Sequence, residues 1–130
     1  FARFLYVESC GQCGACTMHS GEISEALART EQQRGDDADV EEIGARLRMV
    51  TDQNRCYVPV ELQTVVASIL RAFPDDFVAH LEGMPPPTRM YRLPKITDMV
   101  DGTATYDPRI ALKQSDWTYA PLPEPKRRAG

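Results

Sequence analysis

Four cysteines carry the chemistry this sequence can offer. Three of them lie in Ser9-Cys10-Gly11-Gln12-Cys13-Gly14-Ala15-Cys16, a Cys-x2-Cys-x2-Cys run, and the fourth, Cys56, stands far downstream. Three thiols so closely spaced on a glycine-containing loop can reach three corners of one compact cluster. The fourth corner must come from a distant point that folding brings near. Ligation by four cysteine thiolates is the usual requirement of a [4Fe-4S] centre, so the expected ligands are Cys10, Cys13, Cys16 and Cys56. Gly11 and Gly14 sit between them as expected cofactor contacts. A missing side chain there lets backbone N–H groups approach the sulfurs, and such hydrogen bonds help set a redox potential.

Other chemistries fit this pattern less well. Four cysteines could form two disulfides, but three crowd into seven residues and no secretory signal opens the chain. A structural zinc site normally pairs two Cys-x2-Cys knuckles, and here the second knuckle is missing. The run Cys10-Gly11-Gln12-Cys13-Gly14-Ala15-Cys16-Thr17 looks locally like the [2Fe-2S] loop of molybdenum hydroxylases. That class needs Cys-x4-Cys-x2-Cys, hence a cysteine at position 8 or 5, and those places hold Glu8 and Leu5. A catalytic thiol would need a base, and only His19 and His80 are available. His19, three residues after Cys16, could hydrogen-bond near a cluster; the plainer expectation is a polar helix residue. A zinc-stapled interaction module without redox activity stays open as the alternative.

The elements that must position these thiols read as short helices. Ile23, Ala26, Leu27 and Ala28 predict a helix after the cysteine loop, running to about Gln33 and broken by Gly35-Asp36-Asp37. Asp39-Val40-Glu41-Glu42 has the form of a capping box opening a second helix, with an apolar stripe of Val40, Ile43, Leu47 and Val50. A third should start near Pro59 and bury Leu62, Val65, Val66, Ile69, Leu70 and Phe73. Pro74 should begin a fourth, carrying Phe77, Val78 and Leu81. Helices with one apolar face each must bury those faces against one another. The expected fold class is therefore mainly α, a small antiparallel helical bundle with an N-terminal cysteine loop.

Residues 84–130 differ in composition. They hold eight of the ten prolines and little periodicity, which predicts a bundle over 1–83 and a Pro-rich extended tail over 84–130. Within the tail, Asp101-Gly102 between Ile96–Val100 and Thr103–Tyr106 is a strong hairpin signal. Trp117-Thr118-Tyr119 suggests extended chain packed on a neighbour. With 130 residues, 42% of them hydrophobic, the chain suits one globular domain plus peripheral segments. A net charge of −4 argues against a nucleic-acid partner despite the short Lys126-Arg127-Arg128 run. No apolar stretch approaches the roughly 20 residues that would cross a bilayer, so no direct membrane insertion is expected. The chain opens on Phe1 rather than Met, which reads as the C-terminal piece of something larger. No Gly-rich nucleotide loop is present, so neither NADH nor FMN is expected to bind this segment alone.

Glu8-Ser9-Cys10-Gly11-Gln12-Cys13, with Cys16 and with Cys56 ahead of an apolar helix, resembles the C-terminal domain of the F subunit of respiratory complex I. The diaphorase subunits of NAD-linked formate dehydrogenases and hydrogenases have a similar module. The resemblance covers residues 1 to about 83, including Phe73-Pro74-Asp75-Asp76-Phe77. It implies a helical bundle whose four matching cysteines hold a [4Fe-4S] cluster, with FMN and NAD bound in a preceding N-terminal part of the parent chain. It also implies a partner set: that NADH/FMN domain and a neighbouring iron–sulfur subunit, in a cytoplasmic enzyme or on the cytoplasmic face of a membrane complex. The family usually reads Cys-Thr-Pro-Cys-Arg where this chain has Cys13-Gly14-Ala15-Cys16-Thr17. Ligation does not depend on those changes, but the lost arginine removes a positive charge beside the cluster. Arg55, next to Cys56, is the candidate to replace it.

Overall fold

The computed structural model describes residues 1–84 and 96–106. The expectations for Trp117-Thr118-Tyr119, for Lys126-Arg127-Arg128 and for most of the Pro-rich tail lie outside these residues. Five helices follow in order: α1 (Ala2–Glu8), α2 (Gly14–Glu31), α3 (Asp37–Met49), α4 (Val58–Ala72) and α5 (Pro74–Leu81). They are followed by a two-stranded sheet, β1 (Ile96–Val100) and β2 (Thr103–Tyr106). The described residues are mainly helical, as the periodicity predicts.

Helix α2 is the hub, packing against α1, α3, α4 and α5. Its Ile23 and Ala26 meet Ala2 and Leu5 of α1, Ile43 and Leu47 of α3, Val50, and Leu62 and Val66 of α4 in one buried cluster. Most helical stability in a folded protein comes from packing an apolar face, so this shared core is what holds the helices together. Tight places show how close the packing is. The Tyr6 ring lies where a Cβ on Gly21 would come within 3.1 Å of it. A Cβ on Gly35 would fall 2.9 Å from Thr30 Cα, so only glycine lets the chain double back over the end of α2.

Several boundaries differ from the sequence expectations. Helix α1 carries no signal of its own, since seven residues give barely two turns. Helix α2 starts at Gly14, well before Ile23, so Cys16 is helical rather than in a loop. Its first turns are small and polar, which hides them from a search for apolar periodicity. The capping box is real but one turn early. Asp36 is the N-cap, accepting from Asp39 N–H at 3.2 Å, while Asp39 accepts from Asp36 N–H at 3.1 Å. Helix α4 buries Leu62 and Val66 and half-buries Val65 and Leu70, but Ile69 and Phe73 are exposed. Helix α5 has no fully buried residue, and Val78 is exposed. The apolar stripe of α4 and α5 is wider than the surface the bundle offers it.

The hairpin forms as the Asp-Gly signal predicts. Asp101 and Gly102 both take positive φ, +49° and +77°, the turn whose twist matches antiparallel strands. Val100 pairs with Thr103 and Met99 with Ala104, and an irregularity falls between Ile96 and Asp98.

Candidate metal centre

The cysteine turn is built by two helix ends. Ser9, buried, closes α1: its Oγ donates to the Tyr6 carbonyl at 2.8 Å and its N–H to the same oxygen at 3.3 Å. Cys10 follows, half-buried. Gly11 then takes φ +77°, in the left-handed region that strains any residue with a Cβ. Cys13, half-buried, is the N-cap of α2, and its side chain makes no capping hydrogen bond. Its carbonyl accepts the Thr17 N–H at 2.9 Å, closing the first turn. Cys16 lies in that turn and is 7% exposed. Gly14 has open space where its Cβ would be, so the surrounding protein does not require glycine there.

Cys56 occupies the connection between α3 and α4, one residue before the Tyr57 N-cap. Cys56 and Tyr57 are both exposed, as is Arg55. The connection is held by Asn54, whose Nδ2 donates to the Cys56 carbonyl at 2.9 Å. The structure thus places Cys10 between α1 and α2, Cys13 at the N-cap of α2 and Cys16 in its first turn, and sets Cys56 in a separate loop. All four thiols are free in the structure. Among the described residues, no three His, Cys, Asp or Glu side chains converge on the position of one metal ion. A zinc site needs its sulfurs about 2.3 Å from a common centre. A four-iron cluster gives each thiolate its own iron and spreads the ligands around a larger body.

The donor set suits such a cluster. It is all thiol, the soft ligand iron–sulfur centres use. It also straddles the start of α2, where no acidic side chain stands in the first turn. The unpaired N–H groups of a helix start favour negative charge, and a thiolate-bound cluster is anionic.

Beside the thiols, α2 and α3 share a seam of charge that sequence reading missed. His19 is a helix residue, as expected, and is buried at 3% exposed. Its Nδ1 lies 2.8 Å from Glu22 Oε2, and that oxygen lies 3.0 Å from Arg46 Nε on α3. Further along, Arg29 Nε donates to Asp39 Oδ1 at 2.8 Å and its Nη2 to Glu42 Oε2 at 3.1 Å. The hydrogen bond from Arg29 holds the Asp39 carboxyl below its ordinary pKa of 3.8, and Asp39 in turn raises the Arg29 guanidinium. The His19–Glu22 pair has i, i+3 spacing and was legible in principle; the cross-helix arginines were not. His80 lies on α5 beside a small cavity lined by Leu27, Thr30, Glu31, Asp76 and Phe77.

The described residues form a small helical bundle with a cysteine triplet around the start of α2 and one further thiol in the connection between α3 and α4. Residues 1–80 match the family described as the NADH-ubiquinone oxidoreductase-F iron–sulfur binding region. The chain belongs to that family, and the matched span contains all four cysteines. No curated protein and no solved structure matches the chain. No described helix is long and apolar enough to cross a membrane.

Proposed function

We propose that this chain is the electron-relay region of an NADH-oxidising flavoprotein of the F-subunit kind. In this reading Cys10, Cys13, Cys16 and Cys56 hold one [4Fe-4S] cluster. When bound, the cluster supplies a one-electron carrier, taking electrons from FMN in the parent protein's NADH-binding part and passing them to further iron–sulfur centres. The observation that carries the proposal is the family match over residues 1–80, which takes in every cysteine of a chain whose thiols are all free.

The chain's own contribution is positional and electrostatic. The left-handed Gly11 and the cap at Ser9 fix the turn that presents Cys10 and Cys13. The buried contacts of Ile23 with α1, α3 and α4 keep the start of α2, and Cys16 with it, in place. Burial of Cys16 limits water on that side, and the start of α2 offsets the negative charge an added electron brings. The partners that follow are the parent's NADH/FMN domain and a neighbouring iron–sulfur subunit, on the cytoplasmic side.

The test is composition and spin. Protein purified without oxygen is expected to contain about four irons and four acid-labile sulfides per chain and to be brown. After reduction it should show an EPR signal. A colourless protein containing zinc but no sulfide would sink the redox reading in favour of a metal-stapled interaction module.

A further inference from the structure

The first two turns of α2 carry two hydroxyls that nothing among the described residues satisfies. Ser20 is 1% exposed, and its Oγ has no hydrogen-bond partner. The Thr17 Oγ1 is likewise buried and unpartnered. Helical hydroxyls commonly bond the carbonyl four residues back, as Thr30 Oγ1 does to Ala26 at 3.1 Å on this same helix. Thr17 and Ser20 do not, and buried polar groups left unpaired are rare in folded proteins.

Their placement suggests what completes them. Positions 13, 16, 17 and 20 follow the i, i+3, i+4, i+7 spacing of one helix stripe. Thr17 stands one turn after Cys13, and Ser20 one turn after Cys16. Two orphaned donors therefore share a face with two of the expected ligands. Sulfur carrying negative charge is an acceptor for such O–H groups, and cysteine-bound clusters have it in both thiolate and sulfide form.

We infer that Thr17 and Ser20 set the redox potential of this centre by donating their hydroxyl protons to its sulfurs. This rests on the cluster reading above. Reduction adds one electron and no proton, which concentrates negative charge on the sulfurs and strengthens a hydrogen bond already made. The two hydroxyls therefore favour the reduced state.

The test compares wild type with Thr17→Val, Ser20→Ala, the double variant and the conservative Thr17→Ser. Iron and sulfide are counted first, the fold is followed by circular dichroism, and midpoint potentials are read by EPR-monitored titration. The double variant is expected to shift the reduction equilibrium about tenfold toward the oxidised form, a fall of about 59 mV for one electron. Thr17→Ser should keep the wild-type potential. A folded variant that no longer holds iron overturns the inference, because the hydroxyls then retain the centre rather than tune it. Loaded variants with unchanged potential overturn the inference and leave the relay reading standing. A wild-type chain that takes up no iron and sulfide overturns both.

Discussion

Two glycines flank Cys13 in sequence space yet do different work. Gly11 needs a left-handed backbone, whereas Gly14 lies at the start of a helix with open space around its missing Cβ. Gly11→Ala should therefore destabilise the metal-free protein by about 1–2 kcal/mol. Gly14→Ala should be neutral or stabilising by at most about 1 kcal/mol. Urea unfolding of both variants measures the difference, and equal effects would contradict the turn described here. The contrast was only half legible from sequence. Both glycines sit between ligands, and a spacing argument treats them alike; backbone dihedrals separate them.

At the scale of elements, Asp39 joins a helix cap to a cross-helix ion pair. Its carboxyl titrates below the ordinary 3.8 because Arg29 donates to it. A depressed folded-state pKa means a contribution that is complete above the unfolded value and lost as pH falls through the folded one. Stability should therefore fall as the pH drops below about 4. Asp39→Asn keeps an acceptor for the Asp36 N–H but drops the charge, so it should flatten this part of the profile. Denaturant midpoints between pH 7 and pH 3 read it directly. The loop before α4 offers a second test. Cys56 is exposed in a connection anchored by Asn54, so in metal-free protein it should react with a maleimide faster than Cys16. Loading the cluster should protect it. Undiminished Cys56 labelling in a fully loaded protein would remove it from the ligand set.

At the scale of the whole molecule, the relay reading proposed above divides the labour between this chain and a separate NADH- and FMN-binding part. The bundle offers thiols, a helix start and a small core, and its sequence contains no Gly-rich nucleotide loop. The isolated chain is expected to show no NADH-dependent dye reduction above buffer, even when fully loaded with iron. Robust turnover by this chain alone would place the flavin chemistry here instead. The core is modest, so metal binding should be coupled to folding. Chelation of iron is expected to lower the thermal midpoint, followed by circular dichroism on loaded and stripped samples.

The helical class and the hairpin could be read from the chain by itself, because each rests on local pattern. A triplet of cysteines, an Asp-Gly pair and apolar residues at helical spacing keep their meaning in any context. The start of α2 at Gly14, the exposure of Ile69 and Phe73, the burial of His19 and the orphaned hydroxyls of Thr17 and Ser20 were decided by tertiary structure. Those properties depend on what lies opposite a residue rather than beside it. Facing surfaces are assembled from segments far apart in sequence, so no local pattern records them.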